Sequence, residues 1–101
     1  MLVSKIDKNG FVEIAIDGSI DTLSAPRLEK FLNIIINEGA NNLVINLEKV
    51  PYISSAALRT FLGVLKTLGT IEGSSLRLIN ANDSVKKVFS ITGFAALFDF
   101  G

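Results

Sequence analysis

The segment that most restricts the fold runs from residue 43 to residue 68, where an apolar run leads through a loop into an amphipathic helix. The run, LVINL, is typical of a central strand covered on both faces. A strand followed by such a helix predicts a β-α unit of a parallel sheet. Offsets of three and four place one set of apolar residues on the buried face of the helix: Leu58, Phe61, Leu62, Leu65 and Leu68.

Two adjacent serines, Ser54 and Ser55, stand where this helix begins. Ser55 shares the spacing of Arg59, Gly63 and Lys66, so we expect it in the first helical turn on the face near water. One interpretation is structural, because a serine oxygen at a helix N-terminus accepts a hydrogen bond from an unpaired backbone N–H. The other is a phosphate acceptor, since a phosphate there would meet the positive end of the helix macrodipole.

The remaining patterns predict two strands and a helix before this unit, and a strand and a helix after it. Alternating apolar residues around the turn at 7–10 predict a β-hairpin. A helix should follow Ser24, its candidate N-cap, with Leu28, Phe31, Leu32 and Ile35 on its buried side. Another strand is expected at 76–79, and a third helix should begin near 82–84. The apolar segment 94–100 should pack back onto the domain.

This order predicts an α/β fold in a single domain of residues 1–101. The N-terminal hairpin should join parallel β-α units in one mixed sheet, flanked by helices on at least one face. Partners of such sheets meet the loops beyond the carboxyl ends of the strands. Ser55 follows one of these strands, and Asp21 lies in a similar loop after the second strand, where it could also be an ordinary turn residue.

Composition excludes several classes of function. Ten basic and ten acidic residues cancel, which argues against nucleic acid and acidic membranes as partners. Without histidine or cysteine, the chain cannot assemble a Ser-His-Asp or Cys-His site or a usual zinc site. We therefore expect no enzyme activity, no cofactor and no bound metal. The sequence shows no signal peptide and no membrane span, and we expect a cytoplasmic protein.

Three stretches resemble the STAS domain of the anti-sigma factor antagonist family: GSIDTLSAPRLEKFL, LVINLEKVPYISSAALRTFL and LRLINANDSVKKVFSITGF. Members of that family are small bacterial proteins that bind and inhibit an anti-sigma factor kinase. The resemblance implies that the partner kinase phosphorylates the serine that begins the helix after the third strand. Ser55 matches this acceptor, with Ser54 as second choice, and Asp21 matches an acidic residue of the partner surface.

The sequence departs from the common family pattern at three positions. Ser54 replaces an aspartate that often precedes the phosphorylated serine, Ala57 replaces a glycine, and Asn46 replaces an aspartate at the end of the third strand. The first change removes a negative charge beside the acceptor, which bears on the efficiency of phosphorylation and on the identity of the partner.

The resemblance implies a partner switch that controls transcription. The partner kinase would supply ATP and Mg²⁺, and a phosphatase would reverse the modification. The expected partner surface comprises Asp21, Ser54, Ser55, Ala56, Arg59 and Gly63. Arg59 could contact a phosphate or be an ordinary solvated side chain, and Gly63 could reflect close partner approach, tight packing or indifference. The alternative function is a STAS scaffold or regulatory subunit of a signalling complex or lipid transporter, without a switch.

Overall fold

A mixed sheet with helices packed on one face forms the framework of the protein. The computed structural model describes residues 1–100. In chain order, the elements of this part are β1 (Leu2–Lys8), β2 (Phe11–Asp17), α1 (Ala25–Asn37), β3 (Asn42–Lys49), α2 (Ser55–Gly69), β4 (Ser75–Ile79), α3 (Asp83–Ile91) and a short 3₁₀ helix (Ala95–Leu97). The predicted order of strands and helices is confirmed, and the 3₁₀ helix is an addition to it.

The four strands lie in the order β1-β2-β3-β4. β1 pairs antiparallel with β2 through the predicted hairpin, and Gly10 in its turn has a φ of 92°, which glycine adopts without strain. β3 is parallel to both β2 and β4. The predicted hairpin and parallel β-α units are therefore confirmed, and the loops that follow β2, β3 and β4 meet at one edge of the sheet.

Only one face of the sheet is deeply buried. Ile14, Ile45 and Leu78 lie side by side in the strand register and are fully buried in the core that the helices cover. Val44 and Asn46, which point to the opposite face, are only half-buried. The prediction that LVINL is covered on both faces is therefore wrong, because its side chains alternate between a packed face and an open one.

The buried face of α2 is rotated from the predicted one. Leu62 and Leu65 are only half-buried, whereas Thr60 lies in the core and its Oγ1 donates a hydrogen bond to the Ala25 carbonyl oxygen at 3.3 Å, which joins α2 to α1. In α1, Phe31 is half-buried instead of buried. The buried residues of α2 are Ala57, Leu58, Thr60, Phe61, Val64 and Leu68.

The C-terminal segment packs back onto the domain, as predicted. The Leu78 N–H donates to the Asp99 carbonyl oxygen at 2.8 Å, which places the segment beside β4. The rings of Phe98 and Phe100 lie edge-on to Phe89 of α3, with centroids 5.2 and 5.1 Å away. This segment therefore closes one side of the core.

Candidate functional site

Two loops at the carboxyl edge of the sheet are joined by backbone hydrogen bonds. The Ile20 N–H donates to the Tyr52 carbonyl oxygen at 3.1 Å, and the Ser54 N–H donates to the Ile20 carbonyl oxygen at 2.9 Å. Ile20 pairs with Ile53 as in a parallel sheet, and both side chains are fully buried. This pairing brings together the loops that carry Asp21 and Ser55, each of which follows a bonded residue directly.

The structure gives the two adjacent serines different roles. Ser54 has extended backbone angles at the N-cap of α2, and its Oγ accepts a hydrogen bond from the Ala57 N–H at 3.3 Å. Ser55 is the first helical residue, is exposed, and its hydroxyl forms no hydrogen bond within residues 1–100. The capping interpretation therefore applies to Ser54, while the predicted exposure of Ser55 is observed.

The loop after β2 is organised by the carboxylate of Asp21. Its Oδ1 accepts hydrogen bonds from the backbone N–H groups of Ser24 at 2.7 Å and Leu23 at 3.0 Å. These bonds, with that from the Ser24 N–H foremost, hold the pKa of the Asp21 carboxyl below its ordinary value of 3.8. Asp21 is therefore a turn residue, as one interpretation predicted, and it holds the turn through its Oδ1.

Ser24 does not cap α1 with its side chain, contrary to prediction. Its backbone is already helical, with φ −85° and ψ −24°, whereas a capping serine needs extended angles to reach the N–H groups of the first turn. Its buried Oγ instead accepts a hydrogen bond from the Asp21 N–H at 2.9 Å. Asp21 and Ser24 thus bond each other across the turn that precedes α1.

A third loop supports the β3–α2 loop from the side of β4. The side-chain amide of Asn82 donates to the carbonyl oxygens of Val50 at 3.3 Å and Pro51 at 3.4 Å, and its Oδ1 accepts from the Val85 N–H at 2.8 Å. Asn46 accepts a hydrogen bond from the Asn80 side chain at 3.2 Å. The sequence placed the start of α3 near residues 82–84 but contained no sign that Asn82 contacts the β3–α2 loop.

The other three predicted site residues lie on or near the exposed face of α2. Arg59 is exposed one turn after Ser55 and forms no ion pair within residues 1–100. Ala56 is half-buried against the core. Gly63 is exposed, and a Cβ at this position would meet no atom within 4 Å, so tight packing within this chain does not explain the glycine.

Two exposed apolar side chains near the serines were missed by the sequence analysis. Leu23, in the Asp21 loop, is 85% exposed, and Tyr52, whose carbonyl oxygen bonds Ile20, is 52% exposed. No spacing pattern singled them out, because Ile20 lies three residues before Leu23 and Val50 two residues before Tyr52, so both look like members of apolar runs. Leu23 lies two residues after Asp21 and Tyr52 lies two residues before Ser54, and they give this edge of the sheet an apolar component.

The helices of residues 1–100 are all too short or too polar to cross a membrane. Across the same residues, no three acidic side chains gather into a group that could hold a metal ion.

Comparisons with known proteins agree with this geometry. Residues 3–101 match the model of the STAS domain family. The anti-sigma-B factor antagonist of Staphylococcus aureus is 32% identical over 87 residues, which cover 86% of this chain and 80% of that protein.

Solved structures share the fold. An anti-sigma factor antagonist from Mycobacterium paratuberculosis superposes with a TM-score of 0.88 at 21% identity, over 98% of this chain and 83% of that one. Unphosphorylated SpoIIAA has a TM-score of 0.83 at 20% identity, over 99% and 88% of the chains. The phosphorylated form of SpoIIAA from Bacillus has a TM-score of 0.75 at 19% identity, over 99% and 91%. By the family match and the Staphylococcus aureus relative, the chain belongs to the STAS domain family and, within it, to the anti-sigma factor antagonists.

Proposed function

We propose that this protein binds an anti-sigma factor kinase and that phosphorylation of Ser55 releases it. The observation that carries the proposal is the contrast between the two serines: Ser54 caps α2, and the exposed hydroxyl of Ser55 has no partner in residues 1–100. A kinase can therefore reach the Ser55 hydroxyl without breaking a contact of the fold.

The start of α2 can accommodate a phosphate. The N–H groups of Ser55 and Ala56 have no hydrogen-bond partner in residues 1–100, whereas that of Ala57 bonds Ser54, and the macrodipole adds positive charge there. Arg59 lies one turn further on the same exposed face, where its guanidinium could pair with the phosphate. Modification should thus leave the helix intact while adding about two negative charges to the surface.

These charges would act on the contact with the kinase. Like-charge repulsion and desolvation would cost a few kcal/mol, which corresponds to a loss of affinity by orders of magnitude. The kinase would supply ATP, Mg²⁺ and the catalytic base, so that this chain contributes only the hydroxyl. The released kinase could then bind its sigma factor and lower transcription until a phosphatase restores Ser55. The name of the Staphylococcus aureus relative and the existence of SpoIIAA in both phosphorylation states support this sequence of events.

Ser54 remains the second candidate acceptor. Its side chain is half-buried, and its Oγ already accepts the Ala57 N–H. Phosphorylation there would place a bulky group at the cap, so we expect the reaction to favour Ser55.

The experiment is phosphorylation by each histidine-kinase-like ATPase of the anti-sigma type encoded in the same genome. With ATP and Mg²⁺, the intact mass should increase by one phosphate, and Ser55→Ala should abolish the increase. Ser54→Ala is the matched control and should still be modified. In calorimetric titrations without ATP, Ser55→Asp should bind the kinase about tenfold more weakly than Ser55→Ala, or worse. Binding without any phosphate transfer, or equal binding of the two variants, would favour a scaffold without a switch.

A further inference from the structure

Leu23 is the most exposed large apolar side chain in residues 1–100, and it lies on a tightly bonded turn. The Asp21 N–H donates to the Ser24 Oγ, and the N–H groups of Leu23 and Ser24 donate to the Asp21 Oδ1. The Ala25 N–H then donates to the Asp21 carbonyl oxygen at 3.0 Å. These bonds fix the backbone from which the Leu23 side chain projects into solvent.

An exposed leucine is common on protein surfaces and needs no function by itself. The position of Leu23 is what distinguishes it. The turn begins directly after Ile20, whose backbone bonds Tyr52 and Ser54 of the loop that carries Ser55. A partner of ordinary interface size covers about 800 Å² of each protein, roughly a seventh of the 5706 Å² surface here. A protein that covers Ser55 would therefore extend over the adjoining turn.

We propose that Leu23 is an apolar anchor that enters a recess on the anti-sigma factor, and that Asp21 is a positioning residue that holds the turn which presents it. This inference rests on the proposed function. It differs from a direct role of Asp21, in which the carboxylate would pair with a cation of the partner. It also gives Tyr52, the exposed neighbour across the paired loops, a place at the rim of the contact.

Substitution by asparagine distinguishes the two roles of Asp21, positioning of the turn and direct pairing with a cation of the partner. An asparagine side chain at this position would keep an Oδ1 that accepts the two backbone N–H groups, but it would lack the charge. Alanine would remove both. If Asp21 positions the turn, Asp21→Asn should retain its affinity for the kinase, whereas Asp21→Ala should lose it. If the charge itself meets the partner, the two variants should be equally weak.

The experiment is calorimetric titration of the kinase that modifies Ser55, without ATP and in a Ser55→Ala background. We expect Leu23→Ala to weaken binding about tenfold or more, as truncation of an interface anchor does, and Leu23→Met to retain most of the affinity. Asp21→Ala should weaken binding similarly, while Asp21→Asn should stay within about threefold of the parent. Ile91→Ala is the matched control, because Ile91 is 73% exposed at the far end of α3. Thermal unfolding of each variant will verify that it is folded.

Several outcomes would overturn the inference. Unchanged binding by Leu23→Ala excludes the anchor, and equal losses in Asp21→Asn and Asp21→Ala exclude the positioning role. Ser55→Asp in the same assay separates these results from a failure of the proposed function. If Ser55→Asp weakens binding while Leu23→Ala does not, only the anchor is wrong. If the protein binds no such kinase, both proposals are wrong.

Discussion

The loops after β2 and β3 have similar polar residues but use them differently. In the Asp21 loop, the side chains of Asp21 and Ser24 are both bonded to the backbone of the loop. In the Ser55 loop, Ser54 is bonded to the backbone and Ser55 is not. The two loops are joined at Ile20, so they form one surface. It is held by the bonded side chains of Asp21, Ser24 and Ser54 and carries the hydroxyl of Ser55, which is unbonded within residues 1–100.

If Ser55 is the phosphate acceptor that we propose, this difference lets a small domain carry a switch without loosening its structure. A modification that had to displace a capping hydroxyl would lower the stability of α2, whereas a neighbouring residue can change its charge at little cost. The geometry of the two loops is maintained by Ser54, Asp21 and the buried isoleucine pair. We expect the switch to use Ser55, whose hydroxyl forms no hydrogen bond within residues 1–100 that the fold needs.

Ile20→Ala should have the largest effect on the two joined loops, because it removes the buried side chain at which they pair. Because Ile20 is fully buried, the free energy of unfolding should fall by about 3 kcal/mol in chemical denaturation. Hydrogen exchange of the Ser54 amide, which bonds the Ile20 carbonyl oxygen, should accelerate at the same time. Ile45→Ala, an equally buried change in β3, should lower stability without selective loss of protection at Ser54. A Ser54 amide that stays protected in Ile20→Ala would show that the loops are held independently.

A smaller effect should separate the two serines. Ser54→Ala removes the cap of α2 and should lower the free energy of unfolding by about 1 kcal/mol. Ser55→Ala removes no hydrogen bond within residues 1–100 and should change it by less than about 0.5 kcal/mol. Urea denaturation of both variants and the parent protein will measure the difference. Equal losses would mean that both hydroxyls support the helix.

The smallest effect concerns the acid dependence of the Asp21 loop. Because hydrogen bonds lower the pKa of Asp21 in the folded protein, the ionised carboxylate stabilises the fold fully at pH values above its ordinary pKa of 3.8. This stabilisation should disappear as the pH falls through the lower, folded pKa. The melting temperature of the parent should therefore exceed that of Asp21→Asn by a constant amount near neutral pH, and the gap should narrow below about pH 3.8. A gap that widens on acidification would contradict the assigned bonds.

The sequence predicted the strands and helices better than the burial and the contacts of individual side chains. The strands and helices follow from apolar spacing and from turn residues such as Gly10, because these signals are local. The open face of β3 was missed although Asn46 interrupts its apolar run, since a short run does not reveal what covers it. The roles of Ser24 and Asp21 were not separable, because both side chains can bond a nearby N–H and the backbone angles decide between them. Leu23 was missed because exposure depends on how the chain folds around a residue.

The two edges of the sheet have unequal capacity for further pairing. Asp99 lies beside β4, but the outer edge of β1 pairs with no strand among residues 1–100. Polymerisation by strand addition would accordingly start at β1, where the charges of Lys5, Asp7 and Lys8 discourage a second copy from docking flat against it. Neutralising those charges should therefore make this edge more prone to pair with a second copy.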